Sequence, residues 1–275
     1  FGSSFFACRA MPLSGVREYQ IWESRADVWL NRPSDDSAIF EILERELPRL
    51  IEFHSVEVEI ECMEAVQALP ASEIQAPFFE CFVAAAGGSC TNLVAQMLQR
   101  MASCGRSAPE AVLHRALVGA IAAGNADVCD MLMRSGGVPL ERRDGQGWTP
   151  LMLAAWRGRR DALDVLLGWN AVVDARDDAQ RTALHLASTA GKSSCVELLL
   201  QAQAAVDASD DTGWTPLLAA AHGGHTPVVA LLLSVRASAA HRSRVGQTAK
   251  ELADEEDATE CAELLAAAER LVTVA

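Results

Sequence analysis

Two histidines three residues apart, His222 and His225, form the pair in this sequence that comes nearest to a metal site. Two imidazoles at that spacing could share an ion, but a structural zinc site needs four ligands and no cysteine lies nearby to complete it. We therefore predict that the chain binds no metal ion and no cofactor.

Nucleophilic catalysis would need a serine or cysteine on an elbow such as G-x-S-x-G, together with a base and its carboxylate. The sequence has no such elbow, and it lacks a phosphate-binding loop of the G-x-x-x-x-G-K-[ST] type. Residues 1–78 contain only His54 and two cysteines, without a partner constellation. We predict that the protein is not an enzyme.

Composition and charge narrow the class of protein. Half of the 275 residues are hydrophobic and only 5% are aromatic, which favours an all-α protein built from closely packed small helices. The net charge of −14 repels phosphate backbones, so we predict no nucleic-acid binding. No apolar stretch approaches the roughly 18–20 residues of a membrane-spanning helix, so we predict no membrane span.

The eight cysteines are scattered and form no C-x-x-C pair. We interpret them as reduced, mostly buried side chains, which predicts an intracellular protein, in the cytoplasm rather than the nucleus. The chain begins with Phe1 and not with methionine, so we expect a fragment or a processed product of a longer polypeptide.

Four threonines recur at intervals of 33 residues, and a fixed period of this length predicts a stacked array. Threonine at an N-cap, followed in two cases by proline, is a strong helix start. In the first three units a glycine then ends the first helix, and a second apolar run follows it. The segments around the threonines are Gly147–Ala155, Gln180–Ser188, Gly213–Ala221 and Gly246–Asp254.

These segments resemble the ankyrin repeat, whose signature is G-x-T-P-L-H-x-A-A. The resemblance implies an all-α solenoid of about five helix-turn-helix units joined by β-hairpin-like fingers, with a degenerate N-terminal segment. We assign the array to residues 79–270, most clearly over 141–255. In this family His185 would hydrogen-bond between neighbouring connectors.

Two regions depart from the repeat pattern. Asn170, Gln203 and Arg236 stand where the family usually has glycine after the second helix, and the left-handed backbone costs Gln and Arg roughly 1 kcal/mol each. We therefore expect the repeats ending at Gln203 and Arg236 to close differently. The last unit is rich in acidic residues and is predicted to be a polar C-terminal cap.

Residues 1–78 do not fit the repeat and are either a small separate domain or damaged early repeats. Spacing from Ile39 to Leu47 predicts a helix there. Val56, Val58 and Ile60 alternate with glutamates, which is typical of a strand or of an acidic helix.

Tryptophan and arginine dominate the energetically important contacts of protein interfaces. By the resemblance, the tryptophans beside the repeated threonines face the concave side of the array, and we predict a partner-binding strip there; the alternative is that they pack on neighbouring connectors. A local charge of +4 over residues 134–160 either steers a partner or is ordinary solvated surface. The predicted partner-binding residues are Trp148, Trp156, Arg157, Arg181, Trp214 and His222.

The resemblance thus implies a non-catalytic scaffold or adaptor, a monomeric array that binds another protein through its concave face and fingers. The alternative is that the array is the regulatory or targeting portion of a longer enzyme, channel or ubiquitin-ligase adaptor.

Overall fold

The computed structural model describes residues 45–46, 56–68, 74, 76–88 and 90–274. The described residues from 56 onward form thirteen helices and no β-strand. This confirms the predicted all-α class. The helices are α1 (Val56–Ala68), α2 (Ala76–Gly87), α3 (Thr91–Ser103), α4 (Glu110–Ala123), α5 (Ala126–Ser135), α6 (Pro150–Arg157), α7 (Arg160–Gly168), α8 (Ala183–Thr189), α9 (Ser193–Gln201), α10 (Pro216–His222), α11 (Thr226–Ser234), α12 (Ala249–Glu255) and α13 (Thr259–Val274).

Consecutive helices from α2 onward pair into hairpins that stack in sequence order. The even-numbered helices α2 to α12 each contact the next even-numbered helix, and the odd-numbered helices α1 to α13 do the same. The result is two layers of helices, with each hairpin packing mainly on its neighbours. This arrangement is that of a solenoid, in which each unit buries the apolar face of the one before it.

The repeated threonines begin the first helices of the regular units, as the sequence predicts. The Thr149 hydroxyl accepts a hydrogen bond from the Met152 N–H, and Thr215 accepts one from Leu218, each at 3.4 Å. Thr248 and Glu251 form a reciprocal capping box. These caps satisfy amide groups that would otherwise lack partners in helices of only seven or eight residues.

The connectors before α6, α8, α10 and α12 form the predicted hairpin-like fingers. In each one the chain turns back on itself through a backbone hydrogen bond, for example from the Asp177 N–H to the Arg181 carbonyl at 3.0 Å. Neighbouring fingers are also linked, since the Asp211 N–H donates to the Ala179 carbonyl at 3.1 Å and Arg244 donates to Thr212 at 3.1 Å. The fingers therefore pack as a continuous row.

The second helices α7, α9 and α11 all end in the same way, so the expectation that the repeats ending at Gln203 and Arg236 close differently is wrong. Asn170, Gln203 and Arg236 have φ of 61°, 62° and 65°. In each case the following N–H bonds back to a carbonyl of the last helical turn, as from Ala204 to Leu199 at 3.0 Å. The stacked neighbours impose this closure, and two of these non-glycine residues accept its strain.

Helix α1 shows that Val56, Val58 and Ile60 belong to a helix and not to a strand. Cys62, Ala65 and Val66 of this helix are buried, and α1 packs on α3 as a second helix would. Buried positions three and four residues apart favour the helix over the two-residue alternation. The domain boundary at residue 78 stays a prediction, and the helix proposed from Ile39 to Leu47 lies outside the described residues except at Arg45 and Glu46, which are helical.

The core runs the length of the stack and consists mainly of leucine, alanine and valine. Of the seven cysteines that the structure describes, none forms a disulfide and all but Cys104 are buried. Small alanines in the first helices allow close approach, while leucines of both helices fill the space between units. None of the described helices combines the length and apolar character that crossing a bilayer requires.

Candidate functional site

Two positions eight residues apart recur on one face of the last four units. The first lies directly before the helix-capping threonine and is half-buried; the second lies at the end of the first helix and is exposed. We name these positions together the strip. Its residues are Trp148 and Trp156, Arg181 and Thr189, Trp214 and His222, and Gln247 and Glu255.

The first pair of the strip is a contact between two tryptophans. The rings of Trp148 and Trp156 lie 5.7 Å apart between centroids at an interplanar angle of 55°. The Arg181 guanidinium carbon lies 5.9 Å from the centroid of the Trp148 ring, which is within cation–π range. Three predicted site residues thus form one cluster, and Trp156 keeps 37% of its surface exposed.

The buried carboxylate of Asp177 binds both Trp148 and Arg181 and so holds this cluster in position. Its Oδ2 accepts hydrogen bonds from Trp148 Nε1 at 3.1 Å and from Arg181 Nε at 2.9 Å, and Arg181 Nη2 lies 2.8 Å away. Its Oδ1 accepts from the backbone N–H groups of Ala179 and Arg181. Trp148 therefore does pack on the neighbouring connector, and this packing holds its ring in place on the strip.

The second aromatic pair of the strip is formed by Trp214 and His222. Their ring centroids lie 5.1 Å apart in an edge-to-face arrangement at 75°. His222 Nδ1 also lies 3.5 Å from Glu256 Oε1, and both side chains are about half exposed. The imidazole therefore joins the aromatic ring of its own unit to a carboxylate of the next.

Arg157 is the one predicted site residue that the structure does not bring to another. It is exposed and has no hydrogen bond or ion pair with any residue that the structure describes. At the C-terminal end of the strip, Gln247 Nε2 donates to both carboxylate oxygens of Glu255 at 3.1 Å. The paired positions therefore interact within three of the four units, whatever residues occupy them.

His185 has the structural role that the family resemblance implies. The Thr182 N–H donates to His185 Nδ1 at 3.1 Å, so Nδ1 carries no proton, and Nε2 donates to the Trp214 carbonyl at 3.1 Å. Burial lowers the pKa of His185, an effect that the hydrogen bond to Trp214 only partly opposes. The neutral ring thereby ties one finger to the next.

The arginines of residues 134–160 do not form one positive patch. Arg134 pairs with Asp130 at 2.7 Å, and Arg143 lies 3.8 Å from Asp178. Arg159 is part-buried and donates to the Ala122 carbonyl at 2.8 Å. Of the six arginines in this stretch, those without an ion pair or hydrogen bond to a described residue are Arg142, Arg157 and Arg160.

Other reactive side chains have ordinary surroundings. His225 Nε2 contacts the Thr189 carbonyl at 3.0 Å, and no three His, Cys, Asp or Glu side chains converge on a metal position among the described residues. Burial raises the pKa of Cys129 to about 12 and that of Cys90 to about 11, which keeps both as protonated thiols at neutral pH.

Two sets of acidic residues stabilise the fingers that carry the strip. The sequence predicts the connector aspartates as residues of tight turns, but it did not predict their contacts to side chains or to the next unit. One set, Asp144, Asp177 and Asp210, closes the finger turns by accepting backbone N–H groups. The other is a ladder in which the side chains of Glu141, Asp174 and Asp207 accept the N–H groups of Val172, Ala205 and Ser238 in the next unit. Both sets recur every 33 residues, and this period was the signal that could have revealed them.

Comparison with protein families agrees with this architecture. The family model described as ankyrin repeats (3 copies) matches residues 81–177, 117–210, 168–243 and 184–273, which together span 81–273. The chain belongs to the ankyrin-repeat family. Ankyrin repeats are in general modules of protein–protein interaction. No curated protein matches the chain.

Proposed function

We propose that this ankyrin array is a non-catalytic scaffold or adaptor that holds a partner protein against the strip and the adjoining fingers. The observation that carries the proposal is the cluster of Trp148, Trp156 and Arg181 on Asp177, in which large side chains stay partly exposed although the structure fixes their positions.

Pre-positioned aromatic side chains favour binding because little conformational entropy remains to be lost when a partner arrives. The Trp148 indole has its N–H satisfied by Asp177, so a partner can cover the ring without leaving a buried donor unpaired. Tryptophan and arginine are also the residue types that contribute most to interface energies. The cluster therefore has both the composition and the rigidity of a binding hot spot.

The test compares the complete chain with a variant in which Trp148, Trp156 and Trp214 are replaced by alanine. Both are immobilised and used to select binders from a phage-displayed library of random 16-residue peptides and to capture proteins from a cell extract. We expect the unchanged chain to retain a defined set of binders, and the triple variant to lose at least tenfold in binding, because each truncated hot-spot residue costs roughly 1–2 kcal/mol.

Trp169→Ala is the matched control. Trp169 is also exposed, at 41%, but it follows the second helix α7 and lies outside the strip. Circular dichroism of all variants checks that the helices are retained. If the triple variant folds and binds the same partners as strongly as Trp169→Ala does, the strip is not the binding surface.

A further inference from the structure

The same face of the array changes charge from one end to the other. Arg157 and Glu256 occupy the same position three units apart, at the end of the first helix or directly after it, and Ala190 and Gly223 hold the two positions between them. Both charged side chains are exposed. The strip therefore begins beside a positive charge and ends beside a negative one.

Local contacts strengthen this contrast. At the N-terminal end, Arg157 and the finger residue Arg142 are exposed and have no acidic partner among the described residues, and Arg181 leaves 37% of its side chain exposed beside the Trp148 ring. Asp177 compensates the charge of Arg181, so the positive charge at this end comes from Arg157 and Arg142, which repel an arriving basic group and favour an acidic one, while the Trp148 and Trp156 rings favour an apolar one.

The C-terminal end has the opposite preference. Glu255 and Glu256 are adjacent and exposed, and among the described residues they contact a neutral amide and the His222 imidazole. A lysine or arginine side chain can approach these two carboxylates without displacing a stronger ion pair. Opposed charges of this kind fix the register and orientation of a bound partner more than they raise its affinity.

We propose that the strip binds an extended partner segment that is itself dipolar, with acidic and apolar residues at the Trp148–Arg181 end and basic residues at the Glu255–Glu256 end. This inference rests on the proposed function of the strip. Packed helices lie about 8–10 Å apart, so three steps of the stack cover about 24–30 Å. At about 3.4 Å per residue of extended chain, the acidic and basic residues of the partner are separated by about seven to nine residues.

The inference is tested with the displayed library of random 16-residue peptides, selected on the complete chain and on two charge variants. In Glu255→Lys/Glu256→Lys the C-terminal end of the strip becomes basic. Glu260→Lys/Glu263→Lys makes the same change in net charge at two exposed positions of α13, away from the strip. We expect the unchanged chain and the α13 variant to select peptides with an acidic or apolar group and a basic residue seven to nine positions apart, and the strip variant to lose the basic residue.

Affinity measurements on one selected peptide complete the test. Fluorescence anisotropy of the labelled synthetic peptide should show binding about three- to tenfold weaker to Glu255→Lys/Glu256→Lys and unchanged binding to the α13 variant. The inference is overturned if the selected peptides lack a basic residue at that spacing, or if both charge variants lose the same amount of binding affinity. The proposed function still stands in that case if the triple tryptophan variant loses binding. If no peptide is enriched over that triple variant, the proposed function fails as well.

Discussion

The residue that caps each first helix is the same in the last four units, whereas the residue directly before it differs from unit to unit. Four units place threonine at the cap, and each of these threonines is buried. One position earlier, where the side chain is only half-buried, no such uniformity exists. The residues there are Trp148, Arg181, Trp214 and Gln247.

This contrast separates two tasks within one repeat. The buried positions must satisfy the same helix ends and fill the same gaps in each unit, so the same residue types are needed again and again. The strip positions contact solvent and one another, so tryptophan, arginine and glutamine can alternate there without disturbing the stack. Stability should therefore depend on the repeated positions and binding on the variable ones.

The largest loss of stability is expected when a buried side chain at a repeated position is truncated. Leu184 of α8 is fully buried between the neighbouring first helices. Leu184→Ala should lower the free energy of unfolding by about 2–5 kcal/mol, because it leaves a cavity in a close-packed core. Urea denaturation followed by circular dichroism measures this. Thr189→Ala, on the exposed strip position of the same helix, should change stability by about 0.5 kcal/mol; equal losses would abolish the distinction drawn above.

A smaller loss of stability is expected from Asp177→Asn. The asparagine amide would direct an N–H group toward Trp148 and Arg181, which are themselves donors, so we expect a loss of about 2–3 kcal/mol in unfolding free energy. Asp144→Asn is the matched control, because Asp144 has the same place in the preceding finger but its carboxylate accepts only backbone N–H groups in the finger turn. Denaturation of the two variants in parallel distinguishes them, and an equally large loss in Asp144→Asn would show that the side-chain contacts of Asp177 contribute nothing.

A gain in stability is expected where a repeated backbone conformation carries an unfavourable residue. Arg236 has φ of 65° and no side-chain ion pair with a described residue. Arg236→Gly should raise the unfolding free energy by about 0.5–1 kcal/mol, because glycine adopts this conformation without steric cost. The same substitution at the exposed helical residue Arg160 should instead lower stability, and a loss at both positions would contradict this account of the turn.

The smallest change in unfolding free energy is expected when the pH is lowered from 8 to 6. Burial holds the pKa of His185 below its ordinary value of 6.5, so the unfolded chain binds a proton more readily than the folded chain. Stability should therefore fall as the pH drops from 7.5 toward and below 6.5. His185→Asn should flatten this dependence in denaturation curves recorded between pH 6 and 8, with a remaining slope from His114, whose pKa burial also lowers. An unchanged slope in the variant would rule out this role for His185.

The sequence allowed the fold to be predicted because its repeated residues act locally. Thr149 and Pro150 specify a helix start, and Gly158 with φ of 67° specifies the end, whatever the rest of the chain does. The closures at Gln203 and Arg236 were mispredicted because local preference opposes them and only the stacked neighbours require them.

The sequence singled out five of the eight residues of the strip but not the contacts among them, and their role in binding a partner stays a prediction. Trp148 and Trp156 are separated by two helical turns, and their contact depends on the direction of two large side chains, which spacing does not specify. Asp177 was predicted only as a residue of a tight turn, which is the ordinary role of aspartate in such a connector. Its second role becomes visible only when the preceding finger brings Trp148 within 3.1 Å of it.

The carboxylate ladder that links Glu141, Asp174 and Asp207 to the following units has a consequence for how the protein can be resized. Each rung joins a donor and an acceptor 31 residues apart, and the rungs recur at 33. Excising residues 182–214 as one block would therefore bring Asp174 opposite the amide of Ser238, so the shortened chain would regain the lost rung from its own remaining parts. An excision whose length is not a multiple of 33 would leave a carboxylate without its amide, which makes the single repeat the smallest length by which the protein can grow or shrink.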